Sequence, residues 1–142
     1  MILFTVREDN FRILAPCDDQ NHCEFLEFLQ GHLAGNLCAN ALHMLNLLDR
    51  VSKGGPPHNV NISHQIRGPI FQFEKGRIRV LWFYDEGRVI VCAHWFIKES
   101  GKTNRTKKAD IDRAEAMHGR YFDDKAEGKI TIIPKEEKVK RK

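Results

Sequence analysis

The spacing of apolar residues changes along the chain, and each change marks an element. "MILFTVRED" carries a short apolar run and reads as an edge strand rather than a signal peptide. Phe25, Phe28, Leu29 and Leu33 then fall at i, i+3, i+4 and i+8, the stripe of a helix. Asp18 or Asp19 is placed to cap its start, and Gly35-Asn36 to stop it. Leu37, Ala41, Met44, Leu45, Leu48 and Val51 form the stripe of a second helix. "KGGPP" ends it, because Gly-Gly frees the backbone and proline cannot continue it. Together these segments predict an amphipathic helical hairpin. A period of two returns in "PIFQF", "RIRVLWFY" and "RVIVCAHWFIK", joined by "EKG" and "DEG". Connections this short force neighbouring antiparallel strands, hence a meander. "RTKKADIDRAEAMHGRYF" predicts a third helix, with Ile111, Ala114 and either Met117 or His118 along one side. "ITII" is ambiguous, and the last eight residues read as a disordered tail.

The resulting order predicts an α+β fold: N-terminal strand, helical hairpin, three-stranded antiparallel meander and C-terminal helix. Its helices are expected on one side of the sheet, leaving the second face open for function. Residues 1–126 are expected to form a single domain, with 127–142 as a basic tail in which a short strand before disorder is left open. The full length of 142 residues is enough for one real core.

Composition narrows the function. No apolar run approaches the roughly 20 residues needed to cross a bilayer, so no membrane role is expected. The four cysteines share no CxxC pair, which makes a reduced cytoplasmic setting the default. His22 and Cys23 adjoin and Cys17 lies nearby, but the spacing is not that of a zinc site, and neither metal nor cofactor is expected. Walker, GxGxxG and GxSxG sequences are absent. Charge is uneven: the net is −3 over residues 1–63, +2 over 64–100 and +5 over 101–142. That gradient suits a phosphate-bearing partner, although a solvated helix and a basic tail would produce it too.

Alternation places candidates on the sheet. In "RIRVLWFY", Arg77, Arg79, Leu81 and Phe83 share a side. In "RVIVCAHWFIK", Ile90, Cys92, His94, Phe96 and Lys98 share a side, with Val89, Val91, Ala93, Trp95 and Ile97 on the other, against the helices. A face carrying arginine, lysine, histidine and phenylalanine has cations for phosphates and rings for stacking on RNA bases. Arg79 inside an apolar strand is costly unless paired or wet, so a site residue and a structural ion pair are both open readings. His94 is likewise open to a structural role.

Four pieces occur in an ordered set: "IRG" (66–68), "RVLWF" (79–83), "VIVCAHWFIK" (89–98) and "KT" (102–103), followed by the helix "ADIDRA". In this set, residues 66 to about 122 resemble the RelE/HigB superfamily of bacterial toxins, in its phage-derived branch. The resemblance implies a RelE-like, microbial-ribonuclease-like sheet. It also implies the toxin of a type II toxin–antitoxin system: a ribosome-dependent, metal-independent mRNA endoribonuclease that inhibits translation. The implied partners are a helix-turn-helix antitoxin, the ribosome and mRNA. By resemblance, Arg79 would hold the scissile phosphate, Lys98 would stabilise charge or help move a proton, and Lys102 would bind backbone; His94 joins the catalytic candidates from its place on the same face. Arg67, Arg77, Arg105, Lys107 and Lys108 would extend the cationic track. The chain departs from the family pattern at Glu74 and Glu99, where cations are usual, and at Asn104, where proline is usual. Two alternatives stay open: a gyrase-poisoning toxin of the same superfamily, and a non-catalytic basic phage or prophage accessory protein that binds nucleic acid.

Overall fold

In the computed structural model, which describes residues 1–99 and 105–135, the fold is α+β, with a seven-stranded mixed sheet and three helices. In chain order these are β1 (Ile2–Glu8), β2 (Arg12–Pro16), α1 (Glu24–His32), α2 (Cys38–Gly54), β3 (Ser63–Arg67), β4 (Ile70–Lys75), β5 (Ile78–Asp85), β6 (Val89–Ile97), α3 (Lys108–Ala126) and β7 (Thr131–Ile133). The sheet runs β3-β4-β5-β6-β2-β1-β7. Its pairs are antiparallel except β2–β6 and β1–β7, which are parallel.

The meander expected from "EKG" and "DEG" is present as β4, β5 and β6, but as the centre of a wider sheet. β3 adds one edge, and β2, β1 and β7 extend the other. β1 is therefore an inner strand rather than an edge. The ambiguous "ITII" supplies β7, which pairs with β1. The tail residues 136–142 lie outside the described residues. α1 begins without a side-chain cap. Asp18 instead accepts the N–H groups of Gln20 (2.9 Å) and His22 (2.8 Å), closing the loop before the helix. α2 stops at Gly55, whose φ of 85° favours glycine and whose missing Cβ leaves room for the Phe11 ring.

Helices cover both faces of the sheet, which corrects the expectation of an open second face. On one face α1 and α2 bring Phe25, Leu29, Met44, Leu48 and Val51 onto Phe73, Ile78, Val80, Trp82, Ile90 and Cys92. On the other, α3 brings Ala114, Met117 and Tyr121 onto Leu3, Leu14, Ile70, Leu81, Phe83 and Val91. Burial on both sides explains why β5 is apolar nearly throughout.

The face assignment of β6 also needs correction. Leu81 pairs with His94 while Trp82 pairs with Cys92, so Ala93 is an extra residue, a β-bulge. One extra residue reverses the phase of alternation. Ile90 and Cys92 face α1 and α2 before the bulge, and Trp95 and Ile97 do so after it. Val89, Val91 and Phe96 pack with the α3 side. No described helix is long and apolar enough to cross a membrane.

Candidate functional site

The layer beneath α3 changes character toward one end of the sheet. Cross-strand register sets His64, Gln72, Leu81 and His94 in one row, and Glu74, Arg79 and Phe96 in the next. Residues directly opposite in a sheet project to the same face. These rows therefore place polar groups on the face that α3 covers elsewhere with leucine and phenylalanine.

Each group is held. Arg79 is 5% exposed. Its guanidinium donates to the carbonyls of Gly76 and Ile78 and faces Glu74 Oε2 at 3.5 Å. Burial lowers the Arg79 pKa, against the opposing pull of the Glu74 carboxylate. Gly76, in the β4–β5 turn at a φ of 60°, presents that carbonyl where any Cβ would overlap Asn40. Glu74 Oε1 also accepts the Gln72 side-chain amide at 3.0 Å. His64 Nδ1 lies 3.9 Å from the same oxygen. Thr106 Oγ1 donates to Gln72 Oε1 at 2.5 Å, and His94 Nε2 meets Asp110 Oδ1 at 2.7 Å. The last two contacts fasten the start of α3 over the first row. His94 also stacks on Phe96, with ring centroids 5.6 Å apart.

Beside these rows a groove of about 440 Å³ is lined by Arg67, Arg105 and Lys108, with His64, Thr106 and Ile111 among its other walls. Arg67 and Lys108 are engaged by carboxylates of α3. Arg67 Nη2 reaches Asp112 Oδ1 and Glu115 Oε1, both at 2.8 Å, and Lys108 Nζ donates to Asp112 Oδ2 at 2.9 Å. Hydrogen bonding raises the pKa of Arg67, chiefly through Glu115 and then Asp112. It holds the Asp112 and Glu115 carboxyls below the usual range, led by Lys108 and Arg67 respectively.

The structure thus groups Arg67, Arg105 and Lys108 around one groove and puts Arg79 and His94 on the adjoining sheet face. It does not leave Arg79 projecting into the open. Of the two readings, Arg79 has the buried ion pair, and its donors point into the protein. Arg77 is exposed at the start of β5, with its Nε donating to the Lys98 carbonyl at 2.8 Å. Lys98 is half-buried just past β6, and Lys107 pairs with Glu99 at 3.2 Å. Lys102 lies outside the described residues.

His64, Gln72 and Asp110 were not among the sequence candidates, and Glu74 entered only as a departure from a family pattern. One signal was readable: a two-residue turn at Gly76 sets Lys75 opposite Ile78 and Glu74 opposite Arg79. Nothing comparable marks His64, because "SHQIR" has one apolar residue and does not announce a strand. Among the described residues no three metal-ligating side chains converge.

No curated protein gives a significant match to the chain. The family model described as "Phage derived protein Gp49-like (DUF891)" matches residues 40–118, more than half the chain. The match runs from α2 into α3 and spans both polar rows and the groove. The chain belongs to the phage-derived Gp49-like family.

Proposed function

We propose that this protein is the toxin of a type II toxin–antitoxin pair, a ribosome-dependent endoribonuclease that cleaves mRNA without a metal and stops translation. The observation that carries the reading is the meeting of His64, Glu74 and Arg79 on one sheet face, beside a groove lined by Arg67, Arg105 and Lys108. Cleavage of RNA by its own ribose hydroxyl asks for a group that moves protons and for cations near the phosphate. Both are present within these two rows and their rim. The association of the Gp49-like family with toxin–antitoxin systems supports the same reading.

In this proposal Arg79 acts through Glu74, since its guanidinium is turned inward. Lys98 and Lys102 retain the roles implied by the resemblance, and Arg77, Arg105, Lys107 and Lys108 contribute to the RNA track. The natural partners are a helix-turn-helix antitoxin, the ribosome and mRNA, in the cytoplasm. One observation favours a second reading, a non-catalytic nucleic-acid-binding accessory protein: Arg67, Arg79, Lys107 and Lys108 all have carboxylate partners within the chain. Induction of the protein alone in bacteria separates the two. Growth arrest with mRNA cut inside coding regions is expected. Normal growth with confirmed soluble expression would contradict the toxin and leave the accessory reading.

A further inference from the structure

His64 is the least satisfied polar group of the α3 face. Its Nδ1 is buried and finds no hydrogen-bond partner among the described residues, with Glu74 Oε1 at 3.9 Å. Yet the side chain is 31% exposed and lines the groove. Nε2 is not a buried unpaired atom, so of the two ring nitrogens it is the one open to the groove. Buried polar atoms are normally paired, so an orphan nitrogen aimed at a carboxylate calls for an explanation. A carboxylate facing one ring nitrogen orients the imidazole and sets its tautomer, leaving the other nitrogen to exchange protons with a substrate.

We propose that His64 is the general base of this site, acting on a phosphodiester seated in the adjoining groove, and that Glu74 is its positioning residue. The proposal rests on the ribonuclease reading above. Glu74 is itself placed by Gln72 and Arg79, so a buried arginine, an amide and a carboxylate form a chain ending at the groove. Around His64, Glu74 faces it from β4, with Arg79 of β5 behind that carboxylate. Arg67 of β3, Arg105 and Lys108 share its groove, and Asp112 and Glu115 pair with Arg67. In the reaction, His64 Nε2 takes the proton of a ribose 2′-hydroxyl. The 2′-oxygen bonds to phosphorus, and the P–O5′ bond breaks. The departing oxygen takes a proton from water, and His64 returns its own to solvent. A 2′,3′-cyclic phosphate and a 5′-hydroxyl result, with no change of oxidation state.

The test measures cleavage of mRNA on programmed ribosomes by the full chain as wild type, H64Q and E74Q across pH 5–8, with rates corrected for folded fraction. The H64Q variant should cut about 10²–10⁴-fold more slowly and lose the histidine-range pH dependence. E74Q should keep part of the activity, with kcat lowered and KM near wild type, because Glu74 orients the ring rather than binding RNA. An H64Q variant that cuts within about threefold of wild type, with the wild-type profile, would overturn the role of His64 while leaving the ribonuclease reading standing. If H64Q does not fold, E74Q decides: a kcat within about threefold of wild type overturns the proposal. Wild type that leaves mRNA intact in this assay overturns both.

Discussion

Arg79 and Val80 are neighbours on β5 and enter opposite worlds. Val80 joins Phe73, Ile78 and Trp82 under α1 and α2, in a layer whose buried members are apolar except Ser52 of α2. Arg79 turns toward the α3 side, where Leu81 and Phe83 give way to Glu74, Gln72, His64 and His94. The first layer is held by volume and close packing, which tolerate no missing atoms. The second is held by a network in which each polar group depends on a neighbour, so loss of one partner strands another. A protein of this size gains nothing in stability by burying an arginine where leucine would pack. The polar half of the α3 face is therefore costlier to bury than an apolar layer of the same shape.

The largest expected break is on the apolar side. Trp82 is fully buried, with its ring stacked 4.7 Å from Phe73 and 4.9 Å from Phe71. Trp82→Ala should cost about 3–5 kcal/mol, read by denaturant melts, through cavity formation alone.

A smaller effect sharpens the contrast from the far end of the α3 face. There Asp85 is 8% exposed, accepting from Tyr121 at 2.5 Å and Lys125 at 2.8 Å. Burial pushes its carboxyl upward, but the hydrogen bonds from Lys125 and Tyr121 outweigh this and hold it below the usual range. A carboxyl depressed in the folded state stabilises the fold above its unfolded pKa of about 3.9, and this is lost as pH falls through the folded value. Asp85→Asn should therefore cost about 1.5–3 kcal/mol at neutral pH, and the gap in Tm from wild type should narrow as pH falls below about 3.9 toward the depressed folded value. A gap that stays constant with pH would place the cost in packing instead.

The smallest effect is at the rim. Arg67→Ala removes an exposed ion pair with Asp112 and Glu115, so its drop in Tm should be slight and should vanish at high salt. A large, salt-independent loss would show that β3 needs this tie to α3.

Much of the scaffold was legible from periodicity. The stripes of α1, α2 and α3 and the alternation of β4, β5 and β6 each face a layer that selects apolar residues at that spacing. β2 was passed over because "RILAP" ends in proline and precedes a loop, although its burial between β6 and β1 accounts for Ile13, Leu14 and Ala15. β3 was missed because an edge strand with polar residues on both sides has no apolar period. The bulge at Ala93 has no signature inside a continuous apolar run, and it reversed which side of β6 the later residues face. The polar rows were legible where a polar residue interrupts an apolar strand, as at Arg79 and His94. It was illegible where partners come from distant elements, as with Asp110 on His94 and His64 on Glu74.

The most direct measurement uses the two neighbours on β5. Arg79→Ala and Val80→Ala should both lower stability, the first by about 3 kcal/mol, at the low end for a broken buried pair because Glu74 keeps 24% exposure. Their mRNA cleavage on programmed ribosomes, expressed per folded molecule, should nevertheless diverge. Val80→Ala should cut at the wild-type rate, whereas Arg79→Ala, with Glu74 no longer held, should be slower by about a hundredfold. Equal rates per folded molecule for the two variants would contradict a working site on the polar half of the α3 face.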